Sequence, residues 1–177
     1  MANGTLKVGT LTTSSGSGNI AIGSGVTLLS NVPAFEATLS GSQVPSNNTF
    51  TKVNIDTKVY DTDNCYDNST NYRFTPTVAG KYYVYSKVRG QSETVTKLIQ
   101  TATAIYKNGS LYTESRDITA NSFTRALTNN VSTVIDMNGS SDYLEVYGLI
   151  QVDSGNIDGF IGGLSKHTLF GAYRIGA

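Results

Sequence analysis

The sequence predicts an all-β chain folded as a two-sheet sandwich, and three observations carry that expectation. From Pro33 onward, apolar and polar residues alternate with a period of two, and no stretch keeps a helical period. Turn-forming clusters interrupt the alternation at short spacing. Asn108-Gly109 is the strongest of them, because both residues of such a turn must accept positive φ. The segments between turns are rich in Val, Ile, Thr, Tyr and Phe, which suit a pleated, half-buried surface. About eight strands spaced in this way make a sandwich. An immunoglobulin-like sandwich is the alternative, but its Cys…Trp…Cys framework cannot form with one Cys and no Trp.

The elements follow in order. Residues 1–32 differ in kind from the rest: Gly4 to Thr13 alternates weakly, Ser14-Ser15-Gly16-Ser17-Gly18 is linker-like, and Asn19 to Leu29 resumes a sparse apolar pattern. A segment of this composition is expected to be an extended arm that gains order against a partner. A first strand fits Ala34–Leu39, followed by a polar loop through Gly41-Ser42 and Pro45-Ser46-Asn47-Asn48. Short strands fit Thr51–Ile55 and Lys58–Tyr60, ahead of the acidic loop 61–70. Two alternating runs then flank Pro76 and Gly80. In the second, Tyr82, Val84, Ser86 and Val88 take one face, while Tyr83 and Tyr85 take the other. A strand with aromatics on both faces needs cover on both. Val95–Lys107 and Ser110–Asp117 form a hairpin around Asn108-Gly109. Leu127–Met137 and Asp142–Val152 flank Asn138-Gly139, and His167–Ile175 closes the chain. The expected domains are therefore an arm, 1–32, and a head, 33–177.

Within the organising stretch, Phe74-x-Pro76-x-x-x-Gly80-x-Tyr82-Tyr83-Val84-Tyr85 resembles the signature of the complement-type globular head, a jelly roll of the tumour-necrosis-factor superfamily. Ala34-Phe35-Glu36-Ala37 is similar to that family's opening strand. Thr168 to Ile175 is similar to its closing one, with small and aromatic positions exchanged. The resemblance spans Pro33 to the C-terminus and implies a jelly roll that trimerises, binds or displays, and catalyses nothing. Ile22-Gly23-Ser24-Gly25-Val26-Thr27-Leu28 also resembles arms found ahead of such heads in tailed-phage structural proteins.

Composition narrows the function. Charged residues make up 15% of the chain against an average of about 25%, so hydroxyls, amides or neighbouring subunits must cover much of the surface. The net charge is zero and no run of Lys or Arg occurs, so neither nucleic acid nor an anionic membrane is an expected partner. No apolar stretch approaches the length of a membrane span, and residues 1–5 lack the build of a secretory signal. Synthesis in a cytoplasm is therefore expected.

The residues that could carry chemistry are few. Cys65 is alone, forms no intrachain disulfide and has no His near it in sequence, so a passive thiol is expected. Asp61, Asp63 and Asp67 partly match a calcium loop, but Cys65 interrupts the pattern, no glycine follows and no Glu closes it. His167 is the single histidine and adjoins a strand. Glu114 and Asp117 lie on a hairpin arm, and no Gly-x-Ser-x-Gly elbow is present. No catalytic residue, metal site or cofactor is expected. Asn-x-Ser/Thr triplets at Asn47, Asn68, Asn108, Asn130 and Asn138 follow from composition.

The aromatic second faces say more. Tyr83, Tyr85, Tyr143, Tyr147 and Tyr173 are expected to form a belt on one sheet's outer surface and to pack around a three-fold axis, as the resemblance implies. The expected function is that of a non-enzymatic virion protein of a tailed bacteriophage. As a homotrimer it would decorate or cement the capsid, with Leu6, Val8, Leu11, Ile20, Ile22, Val26 and Leu28 of the arm laid on the major capsid protein or another virion protein. The alternative is the receptor-binding tip of a tail fibre, with loops 41–50, 61–70 and 153–166 reading a host glycan or protein.

Overall fold

The computed structural model describes Ser24 and residues 32–119, 123–153 and 159–176. The chain divides into two units, Met1–Ser30 and Asn31–Ala177, and every element described below belongs to the second. In chain order these are β1 (Ala34–Thr38), β2 (Thr51–Lys52), β3 (Thr57–Asp61), β4 (Tyr66–Asp67), β5 (Arg73–Phe74), β6 (Gly80–Ser92), β7 (Leu98–Lys107), β8 (Ser110–Ile118), β9 (Ala126–Met137), β10 (Leu144–Val152), β11 (Gly159–Gly162), a 3-10 turn (Leu164–Lys166) and β12 (Leu169–Gly176).

Two antiparallel sheets face each other. The first runs β3-β1-β12-β6-β9, with β11 continuing along the edge of β6 that β12 occupies. β12 pairs with β6 from Lys81 to Lys87, and β11 pairs from Arg89 to Ser92. The second runs β4-β5-β10-β7-β8, with β2 beside β10. The opening and closing strands are neighbours, Phe35 standing opposite Ala172 and Ala37 opposite Phe170. This is the jelly roll that the resemblance implies.

The connections explain how one alternating pattern fills two sheets. β7 and β8 form the expected hairpin, with Asn108 at φ 52° and Gly109 at φ 78°. The other turns cross the sandwich. The Pro76–Gly80 stretch carries the chain from β5 in the second sheet to β6 in the first, and Asn138-Gly139 carries it from β9 back to β10. There Asn138 Oδ1 accepts the backbone N–H groups of Ser140, Ser141 and Asp142, each at 3.0 Å, and so holds the bend with its side chain.

Three boundaries depart from expectation for local reasons. The strand expected over Thr51–Ile55 stops at Lys52, although Val53 and Ile55 are both fully buried, because the backbone turns back on itself there. The Ile55 N–H folds back onto the Val53 carbonyl at 2.9 Å. β6 continues past Val88 to Ser92 because Gly90 lets it pass close to Thr101, where a Cβ would collide with that side chain. β7 begins at Leu98 rather than Val95, since Thr96 sits at φ 66° in a turn.

The core lies between the sheets and is aromatic at one end. The Phe35 ring stacks on Tyr66 (4.5 Å between centroids, 8° between planes) and Phe74 (4.7 Å, 22°), and meets the edge of Phe170 (4.9 Å, 84°). Tyr82, Val84 and Val88 of β6 point into the same space, as the alternation requires. Buried rings of Tyr66 and Tyr82 keep their hydroxyls satisfied, donating to the Ile55 and Val78 carbonyls at 2.8 and 2.7 Å.

Candidate functional site

The inner faces of both sheets are consumed by the core, so interaction chemistry has to be sought outside. On the outer face of the first sheet, strand register sets side chains in two adjacent rows. One row reads Tyr60, Glu36, Gly171, Tyr85, Ser132 across β3, β1, β12, β6 and β9. The next reads Ala34, Tyr173, Tyr83, Val134 across β1, β12, β6 and β9. The Tyr83 ring lies 5.4 Å from Tyr173 and 6.1 Å from Tyr85. Gly171 is required here: the Tyr85 ring lies over it, and a Cβ would overlap ring carbons.

Two features make this face unusual. Tyr60, Tyr173 and Val134 remain 42, 43 and 46% exposed in these rows, spread across the sheet with Tyr83 and Tyr85 between them. Scattered apolar residues are ordinary on a protein surface, whereas a contiguous set marks an interface. The charge within the two rows is also neutralised. Glu36 accepts the Tyr85 hydroxyl at 3.1 Å through Oε2 and the Lys166 ammonium at 3.1 Å through Oε1. Burial, with Tyr60 and then Glu36 bonded beside it, pushes the Tyr85 phenol above its ordinary value, so it stays a neutral donor. Next to Tyr83 and Tyr85 lies a shallow depression of about 320 Å3, walled by Lys87, Asn130, Ser132 and Leu169.

The expected single belt divides here. Tyr83, Tyr85 and Tyr173 come together, but Tyr143 and Tyr147 belong to the outer side of the second sheet. β10 pairs with β7 and β5, and makes no ladder with β6 or β12. Tyr147 stacks on Tyr106 (4.0 Å, 28°), Phe50 meets Tyr106 at 6.2 Å, and Arg116 covers Phe50. These groups close over Ala102, Ala104 and Leu149, which are buried although they face outward. Tyr143 lies under the Arg73 guanidinium at 4.7 Å. Both tyrosines are thus occupied in a small second cluster. Membership of the tyrosine rows extends instead to Tyr60 and Val134, which sequence reasoning did not single out. Alternation in Asn130, Ser132 and Val134 marks one face of β9, but only the register places that face beside Tyr83.

The remaining candidates have structural partners. Asp61 accepts the Lys58 ammonium at 2.8 Å and the N–H groups of Cys65 and Tyr66 at 2.9 and 3.2 Å. Burial raises its carboxyl, and these bonds outweigh it and hold the group below the usual carboxylate range. Asp67 caps its own loop: the Thr70 and Ser69 amides, then Asn71, hold it well below that range. Asp63 accepts the Thr77 hydroxyl at 2.5 Å. Among the described residues no group of three or more His, Cys, Asp and Glu side chains could hold a metal. The Cys65 thiol is buried beside Asp61, and burial first, then that charge, pushes its pKa up. His167 sits against Arg89, with 3.1 Å between Nε2 and Nη1. Glu114 engages Arg116 and Asp117 accepts Asn129 at 2.9 Å. The arm residues Leu6, Val8, Leu11, Ile20, Ile22, Val26 and Leu28 lie outside the described residues, as do residues 154–158 of the loop 153–166.

No protein-family model matches the chain, and no curated protein matches it in sequence. Its backbone does match solved structures. The globular domain of the zebrafish complement 1qA protein superposes with a TM-score of 0.56 at 14% identity, covering 81% of this chain and 97% of that one. Murine APRIL superposes with a TM-score of 0.54 at 12% identity, covering 81% and 99%. The head is therefore a jelly roll of the complement-C1q and tumour-necrosis-factor type. At such identities the likeness is one of fold.

Proposed function

We propose that this chain is a non-enzymatic structural protein of a bacteriophage virion, a homotrimer that decorates or cements the capsid. The observation that carries the trimer is the pair of rows Tyr60–Tyr85 and Tyr173–Val134: an apolar, charge-neutralised face on a C1q/TNF-like jelly roll, left exposed in the single chain. Burying one such side chain fully contributes about 1.5–3 kcal/mol, and three copies repeat the contact. The capsid role rests on the arm. Its apolar residues Leu6, Val8, Leu11, Ile20, Ile22, Val26 and Leu28 are set in a segment rich in Gly, Ser and Thr, and its residues 22–28 resemble phage arms. Three arms on one trimer would act together through their high effective concentration, so that weak single contacts give firm attachment. The added contacts would resist separation of shell subunits under internal DNA pressure.

Two experiments test this reading in its two halves. Val134→Lys should sediment as a folded monomer at concentrations where the wild-type chain is a trimer, because it sets an ammonium beside Tyr83. A wild-type chain that stays monomeric at high concentration rejects the trimer. Removing residues 1–32 should leave the trimer intact and abolish loading onto capsids that lack the protein. Normal loading of the truncated chain rejects the arm. Binding of the head to host cells but not to capsids would instead favour the fibre-tip role.

A further inference from the structure

Among the described residues, two outward cations beside the tyrosine rows have no acid to answer them. β6 and β9 run together along their length, and at one end Lys81 stands opposite Asp136 and pairs with it at 2.6 Å. At the other end the same ladder sets Lys87 opposite Asn130 and Arg89 opposite Thr128. Across the other edge of β6, their partners are Leu169 and Gly162. Among the described residues, no carboxylate lies within ion-pair distance of either cation. The Arg89 guanidinium rests on the His167 ring, and its Nε is buried without a hydrogen-bond partner. Lys87 borders the depression of about 320 Å3, where the Asn130 amide and Ser132 hydroxyl bond to no other described side chain.

We infer that this depression is a binding site for a small polyvalent oxyanion, completed when copies of the chain associate through the tyrosine rows. The inference rests on the trimer reading. Association through this face brings the Lys87 ammonium groups of several copies towards one another and removes water from around them. Like charges brought together in a lowered dielectric repel, and the strands supply no counter-charge of their own. An oxyanion reverses the sign. It accepts charge-assisted hydrogen bonds from Lys87, with the Asn130 amide and Ser132 hydroxyl as further donors, and Arg89 two residues along the same face adds a second positive charge. The tyrosine rings beside the depression exclude water from that contact.

The test measures trimer dissociation of the full-length chain by sedimentation, in potassium chloride and in potassium phosphate at matched ionic strength. With one phosphate per trimer at ten times its Kd, the trimer dissociation constant should fall about tenfold and the midpoint concentration, which varies as its square root, about threefold. Lys87→Met, which keeps the alkyl stem, should lose the response and assemble equally well in both salts. Asn130→Asp places a carboxylate opposite Lys87, as Asp136 stands opposite Lys81, and should lower the midpoint in potassium chloride towards the wild-type phosphate value and respond no further to phosphate. Citrate replaces phosphate in a parallel titration. A citrate response extends the site to polycarboxylates, and its absence narrows the site to phosphate, each in support of the site. A wild-type trimer with one midpoint in both salts overturns the inference, as does a Lys87→Met variant that still responds. A wild-type chain monomeric in every salt is a separate failure: it rejects the trimer first and the anion site with it.

Discussion

Replacing Phe35 by Ala removes the ring on which the aromatic end of the core is assembled. Phe35 is fully buried on β1, in face contact with Tyr66 and Phe74 and edge contact with Phe170. Truncating a buried Phe to Ala costs about 3–5 kcal/mol. Each aromatic pair lost adds roughly 0.5–1.5 kcal/mol beyond area alone. The site has little freedom to collapse, since β1 is laddered to β12 on one side and β3 on the other. The expected loss is therefore near the upper end, about 5 kcal/mol, against a total stability of roughly 5–15 kcal/mol for a domain. At about 2–4 °C per kcal/mol for a chain of this size, Tm should fall by roughly 10–20 °C. Phe35→Leu retains most of the volume and should cost about 1–2 kcal/mol. Urea unfolding followed by far-UV circular dichroism measures both, at one protein concentration, because self-association adds stability that depends on concentration. A loss under about 2 kcal/mol for Phe35→Ala, or equal losses for the two variants, would refute the packing argument.

Acid should unfold the head through its capping carboxylates. Asp67 is held well below its ordinary value by the Thr70 and Ser69 amides, and Asp56, Asp61 and Asp142 are also lowered. A depressed folded-state value means that the contribution is complete above the unfolded value, near pH 4, and is lost as the pH drops below it. Asp67→Asn should cost about 1–2 kcal/mol at pH 7 and flatten the acid limb of stability against pH; an unchanged acid limb would count against this role. Cys65 should react with a thiol reagent at least about 100-fold more slowly in the native chain than in denaturant, since burial and Asp61 suppress its thiolate. Comparable rates in the two states would mean the site is open. Gly171→Ala should displace the Tyr85 ring, costing about 1–3 kcal/mol and weakening self-association together. A fully stable, fully assembled variant would show that the ring does not need that space.

Much of this protein was written locally. Alternation over Tyr82–Val88 assigned an inward and an outward face to β6, and the burial along that strand follows it residue by residue. The Asn108-Gly109 turn needed only the permissive backbone of its two residues, and the fold class needed only spacing, since a period of two bounded by turns commits a chain to strands before any partner is known. The unreactive setting of Cys65 comes from burial beside Asp61, which its sequence neighbours do not show.

Sheet membership was not. A strand of either sheet shows the same period, so Tyr83 and Tyr147 look alike in sequence, and only hydrogen-bonded pairing puts one on the tyrosine rows and the other on the Tyr106 stack. Turns conceal this too, because a connection that crosses the sandwich is built from the same Pro, Gly and Asn residues as a hairpin. Register is likewise a tertiary property: it sets Val134 beside Tyr83, Gly171 beneath Tyr85, and Lys87 opposite an uncharged residue. Local chemistry settles what each segment becomes, whereas the choice among many strands of equal pairing potential is made by the core they must jointly enclose.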